Sequence, residues 1–233
     1  MTGLLRRAAA EFIGTAFLVA AVVGSGVMAA RLSPDDVGLQ LLQNSLATGA
    51  ALVALIVALQ PVSASFNPVV TLVERALGMV DTRTTVALIA AQFAGGLAGT
   101  VVANLMFDLP AASLSTHERT GTGLWLGEVV ATIGLLLVVF GTVRSGRADR
   151  VAFAVGGYIA AGYWFTSSTS FANPAVTVAR TITDTFSGIA LASAPGFILA
   201  QLAGGAAGFF LVRFLYPSLA TSADLAADRK VLS

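Results

Sequence analysis

The spacing of apolar and polar positions divides the chain into six long apolar stretches, near residues 8–30, 38–60, 84–107, 123–143, 151–168 and 189–216. Each is long enough to cross about 30 Å of hydrocarbon at about 1.5 Å of helix rise per residue. The fifth runs into the polar segment Thr166-Ser167-Ser168-Thr169-Ser170, which blurs its end. Two shorter apolar pieces, of about 10 residues, cannot cross. They begin at Asn67-Pro68 and Asn173-Pro174. Proline fits the first turn of a helix, where its missing N–H has no partner to lose, and asparagine fits just before it as a cap. Each pair therefore predicts a short half-helix at membrane depth with an amide at its positive end. Irregular backbone survives there only if protein buries it or it lines a wet cavity. Two such half-helices predict a pore.

The same pattern repeats. Glu11-Phe-Ile-Gly-Thr15 in the first stretch has a counterpart in Glu128-Val-Val-Ala-Thr132 in the fourth. Gln92-Phe-Ala-Gly95-Gly96-Leu-Ala-Gly99 in the third matches Gln201-Leu-Ala-Gly204-Gly205-Ala-Ala-Gly208 in the sixth. The order Glu, Asn-Pro, Gln-x-Ala-Gly-Gly thus occurs twice, and three spans per half force the second copy to be inverted. Inverted repeats whose broken helices meet at the midplane are a transport architecture. The expected fold is all-α: six transmembrane helices plus two re-entrant half-helices, in one channel domain over 1–217. Repeat one covers 1–107, repeat two covers 123–217, and 218–233 is a cytoplasmic tail.

Arginines and lysine set the orientation. Arg6, Arg7, Arg75, Arg83, Arg144, Arg147, Arg150, Arg213, Arg229 and Lys230 fall on one side of this topology, and only Arg31, Arg119 and Arg180 on the other. The positive-inside rule puts both termini in the cytoplasm of a multi-pass protein of the plasma (inner) membrane, with the half-helices entering from opposite faces.

Composition narrows the chemistry. The 233 residues are 56% hydrophobic and 11% charged, with mean hydropathy +0.86, less than half the charge of an average soluble protein. A net charge of +1 without a dense basic cluster gives no sign of a nucleic-acid partner. With no cysteine there is no thiolate metal site and no sulfur nucleophile, and a single histidine, His117, builds neither a metal site nor an acid–base set. No cofactor and no enzymatic activity are expected.

On these residues the chain resembles the aquaporin and aquaglyceroporin (major intrinsic protein) family along nearly its whole length. Asn67-Pro68-Val69 and Asn173-Pro174-Ala175 correspond to that family's paired NPA boxes. The resemblance implies a homotetramer with a pore in each subunit, passing water and small neutral solutes across the lipid bilayer. Two departures stand out. Val69 replaces the usual alanine, and Val176 stands where the second box normally continues with the arginine of the selectivity filter. The other filter positions implied by the resemblance are Thr48 (or Ala47), Ala161 and Ser170 (or Thr169), all small and uncharged. A second box followed by valine is similar to bacterial aquaglyceroporins associated with arsenic resistance, which implies glycerol-like polyols, arsenite or methylated arsenic as solutes.

Glu11 and Glu128 lie inside apolar stretches, where a carboxylate must be paired or functional. As structural groups they would accept N–H bonds from the re-entrant loops; as carriers they would serve a proton-coupled transporter. A plain water channel is a third reading. Gly95, Gly99, Gly204 and Gly208 have the small-xxx-small spacing of close helix packing. Tyr163 and Trp164 suit an interfacial belt or the outer vestibule. Arg180, one turn beyond Val176, suits a loop or subunit contact better than the filter.

Overall fold

The computed structural model describes residues 2–217, so the expected tail, with Arg229 and Lys230, lies outside the described residues. Eight helices follow in order: α1 (Thr2–Leu32), α2 (Val37–Leu59), α3 (Pro68–Ala76), α4 (Thr82–Met106), α5 (Thr122–Arg144), α6 (Val151–Phe165), α7 (Pro174–Ala179) and α8 (Ala194–Leu215). One-turn 3₁₀ segments precede α6 at Ala148–Arg150 and follow α7 at Arg180–Ile182. Among the described residues there is no strand. Five helices, α1, α2, α4, α5 and α8, are long and apolar enough to cross a membrane. α6 has only 15 residues.

Three boundaries differ from the sequence expectation by three residues or more, the first being the start of α1 at Thr2 rather than 8. The fifth stretch leaves the helix at Phe165 rather than 168, because Thr166 takes an extended backbone, φ −107° and ψ 137°, while its hydroxyl bonds the Gly162 carbonyl at 2.7 Å. Thr169 and Ser170 then take φ of 63° and 53°, outside any right-handed helix. The sixth helix starts at Ala194 rather than 189, with Pro195 in its first turn, where proline is tolerated. The residues before it form turns, and the Ala190 N–H reaches the His117 carbonyl at 2.7 Å.

Caps mark the other starts. Asp36 accepts from the Leu39 N–H, and Asp81 from the Thr84 N–H and hydroxyl, all at 2.8 Å. The Thr84 bonds hold the Asp81 carboxyl below the usual carboxylate range.

The packing is two-fold repetitive. α1 lies along α4, α5 along α8, and α2 between α1 and α6. In the first pair a Cβ on Gly95 or Gly99 would run into the Phe12 or Ala16 carbonyl, so only glycine permits that backbone approach. In the second, a Cβ on Gly204 would stand 2.7 Å from the Val129 carbonyl. α3 and α7 sit between these pairs and touch each other at the centre. Outside, Leu5, Phe17, Val86, Phe153 and Phe214 are exposed apolar side chains, the surface of a protein whose solvent is hydrocarbon.

Candidate functional site: a cavity between two asparagine-capped half-helices

The loops entering α3 and α7 are bent by residues in an unfavourable conformation. Phe66 and Ala172, each just before an asparagine, both have φ of 48°. The left-handed region costs a non-glycine residue about 1–2 kcal/mol. A buried carboxylate offsets this in each repeat. Glu11, fully buried on α1, accepts from the Ser65 N–H at 2.9 Å, the Phe66 N–H at 2.7 Å, the Ser63 hydroxyl at 2.5 Å and Gln92 Nε2 at 2.8 Å. Glu128, fully buried on α5, accepts from the Phe171 N–H at 2.9 Å, the Ala172 N–H at 2.8 Å and Gln201 Nε2 at 2.5 Å. The two glutamines also donate to Thr71 and Thr177 on the half-helices, both at 2.9 Å. Each repeat thus ties a spanning helix, its re-entrant loop and its half-helix through one carboxylate.

The bend aims a carbonyl across the pseudo-symmetry axis. Asn67 Nδ2 donates to the Ala172 carbonyl at 2.7 Å, and Asn173 Nδ2 donates to the Phe66 carbonyl at 2.8 Å. The Asn67 carbonyl oxygen caps α3 by accepting the Val69 N–H at 2.9 Å. That of Asn173 caps α7, with the Ala175 N–H at 3.0 Å and the Val176 N–H at 3.3 Å. An asparagine NH₂ carries two donors. One is used in this exchange. The other has no acceptor among the described residues, and both asparagines border a cavity.

That cavity, of about 370 Å³, extends from Arg7, Gln60 and Glu74 at the arginine-rich end to Phe171 and Arg180 at the other. Its wall is built from stripes at helical spacing: Leu18 and Val22 on α1, then Thr48, Leu52 and Ile56 on α2. Leu135, Val139 and Val143 come from α5, and Val151, Val155, Ile159 and Tyr163 from α6. Residues four apart lie on one helix face, so each stripe is a straight rail. The loops add the polar Ser63, Ser65, Asn67, Ser170 and Asn173 among apolar neighbours, and the charged Arg7, Glu74 and Arg180 line the cavity toward its ends.

Of the expected filter residues, Thr48, Ser170 and Val176 border the cavity. Ala161 does not. It is exposed on the outer face of α6, about 200° round the helix from Tyr163. Tyr163 lies on the wall beside Thr48 of the neighbouring α2, hydroxyl to hydroxyl at 3.1 Å. Ala47 and Thr169, the alternative assignments, are off the wall. Trp164 faces outward, its Nε1 3.2 Å from the Ser45 hydroxyl. The stripe Val151, Val155, Ile159, Tyr163 was visible in the sequence and would have separated these two aromatics. Pro68, Val69, Pro174 and Ala175 are buried behind the loops. Arg180 is on the cavity wall rather than at the surface, and Arg7, used in the sequence only for orientation, and Glu74, which sequence reasoning passed over, line the arginine-rich end.

The comparisons agree with this geometry. A family model described as Major intrinsic protein matches residues 1–163. The chain belongs to the major intrinsic protein family. Its members are membrane channels rather than enzymes. This major intrinsic protein is 50% identical over 213 residues to aquaglyceroporin AqpS of Rhizobium meliloti, covering 91% of each chain. It is 35% identical over 161 residues to aquaporin A of Dictyostelium discoideum, covering 63% of this chain and 56% of that one. The X-ray structure of the aquaglyceroporin from Plasmodium falciparum superposes with a TM-score of 0.71 over 93% of this chain and 98% of that chain, at 19% identity. At that identity the likeness is one of fold.

Proposed function

We propose that this major intrinsic protein is a passive channel for water and small neutral solutes, including glycerol-like polyols and neutral metalloids such as arsenite and methylated arsenic. The observation that carries the reading is the mixed lining of the cavity: apolar helix rails together with polar loop groups in which each asparagine amide keeps one free N–H. A neutral hydroxylated solute exchanges its water for donors and acceptors of the loops while its carbon face rides on the rails. An ion gains no such compensation, and both half-helix N-termini present positive partial charge to a cation. Undissociated arsenite is a neutral triol of glycerol-like chemistry, and the uncharged Val176 and Ser170 suit a less polar methylated form.

The name of the 50% identical relative supports a polyol-passing channel over a plain water channel. The proton-coupled alternative is disfavoured by Glu11 and Glu128. Neither borders the cavity, and both are occupied by loop N–H groups. The same reading carries the expectations of one channel domain over 1–217, both termini in the cytoplasm of a plasma (inner) membrane, and a homotetramer. The test is stopped-flow swelling of proteoliposomes with water, glycerol, urea and arsenite, with and without a pH gradient. Passive flux indifferent to the gradient is expected. Uptake that requires the gradient would overturn the channel reading.

A further inference from the structure

We propose that Arg180, one turn beyond Val176, is the charged selectivity residue of this channel, set outward of the uncharged wall rather than lost from it; the inference rests on the channel reading above. Arg180 is 3% exposed, yet its side chain borders the cavity. Two contacts fix it. Its guanidinium lies over the Phe171 ring, 3.5 Å from the centroid, and its Nε donates to the Ser187 carbonyl. Both supports are themselves held: the Phe171 N–H by Glu128 at 2.9 Å, and Ser187 by its hydroxyl on the Val22 carbonyl of α1 at 2.9 Å.

A guanidinium has five N–H donors. One is used by Ser187, and the four on the terminal nitrogens have no acceptor among the described residues. Nor does a carboxylate pair with it directly; Glu128, engaged by the re-entrant loop, acts on it only at longer range. Among the described residues the ion pairs are His117–Asp184 and Arg150–Asp149, and neither involves Arg180. A second cation, Arg119, approaches the same ring, 5.3 Å from its centroid, and is tied to the Gly188 and Phe186 carbonyls. Every solute entering from this end therefore meets a positive charge with no direct ion-pair partner, and a fork of open donors, before the neutral Thr48, Ser170 and Val176.

Such a group rejects cations, whose lost hydration the apolar rails do not replace, and it offers paired donors to vicinal hydroxyls. The wall at Val176 then sets the width, while Arg180 sets charge and hydrogen-bond selectivity.

The test compares Arg180→Gln, Arg180→Lys and the double variant Val176→Arg/Arg180→Gln with the parent in proteoliposomes, reading water, glycerol and sodium permeability. Arg180→Gln is expected to raise sodium leak at least about tenfold and to change the glycerol-to-water ratio by about threefold or more. Arg180→Lys should keep sodium out but shift the glycerol-to-water ratio, because the fork is gone and the charge remains. The double variant, with its guanidinium moved one turn inward, should exclude sodium again, a rescue that a merely structural arginine would not show. Unchanged sodium exclusion and an unchanged solute ratio in Arg180→Gln overturn the proposal. Should that variant fail to insert, an unchanged ratio in Arg180→Lys does so instead. A parent that passes no solute passively would sink the channel reading itself, a distinct outcome.

Discussion

Replacing Glu128 by glutamine changes one oxygen and tests what holds the second re-entrant loop. The carboxylate accepts three bonds, from the Phe171 and Ala172 N–H groups and from Gln201 Nε2. Glutamine keeps a single acceptor oxygen. Placed where the Ala172 and Gln201 donors converge, it leaves the Phe171 N–H facing an NH₂ group, a donor against a donor. Turning the amide only moves the conflict to Ala172. A buried orphaned donor costs about 1–3 kcal/mol, and the surviving bonds lose their charge assistance, giving a total on the order of 2–4 kcal/mol. At roughly 2–4 °C per kcal/mol for a chain of this size, melting should fall by about 5–15 °C. Glu11→Gln should cost at least as much, since either orientation strands the Ser65 or the Phe66 N–H. The assay is thermal unfolding in detergent followed by the fluorescence of Trp125 and Trp164. A shift below about 2 °C, in a variant that has lost pH-gradient-driven uptake the parent possessed, would refute the scaffold argument and make these carboxylates carriers.

Three further outcomes are expected. Asn173→Asp removes the donor to the Phe66 carbonyl and sets a carboxylate at the centre of the cavity, so proton flux in proteoliposomes should rise above the parent; unchanged flux would take Asn173 out of the proton barrier. Gly205→Ala would place a methyl 2.7 Å from Val69 Cγ1, so it should lower stability by about 1–3 kcal/mol, with most of the loss recovered by adding Val69→Ala; a double variant no better than the single would show that the two side chains do not share that space. Val176→Arg puts a second guanidinium one turn from Arg180, where like charges about 6 Å apart repel by about 3 kcal/mol at an effective dielectric of 20, so glycerol and arsenite permeability should fall more than water permeability; equal losses would mean that Val176 does not border the narrowest point.

The long apolar stretches, the paired Asn-Pro signals and the internal repeat carried most of the fold, because each is a local statement about what hydrocarbon tolerates. The end of the fifth helix was harder. Its termination depends on the extended backbone at Thr166 and on positive φ at Thr169 and Ser170, which polar residues permit without announcing. The site was legible in chemistry more than in placement. Glu11 and Glu128 were recognisable as buried carboxylates, and their loop partners followed from the repeat. Ala161 lies off the cavity because a count along the chain takes no account of helix face, whereas the four-residue stripe ending at Tyr163 does. For a similar reason the sequence favours a loop or subunit contact for Arg180 over a place on the cavity wall. Its inward position depends on the Phe171 ring and the Ser187 carbonyl, neither adjacent to it in sequence.

The crossed bonds from Asn67 to Ala172 and from Asn173 to Phe66 bear on how such a chain can be assembled at all. Each half ends, at its innermost point, in an amide lacking an acceptor and a carbonyl lacking a donor. These deficits are complementary, so one half cannot cancel its own but two halves facing opposite ways cancel both. The smallest complete object is an antiparallel pair, and two copies pointing the same way would leave all four groups bare. A half-length ancestor of this architecture would have had to enter the membrane in both directions. A strong arginine bias forbids that, and becomes tolerable only once a linker holds the second half inverted.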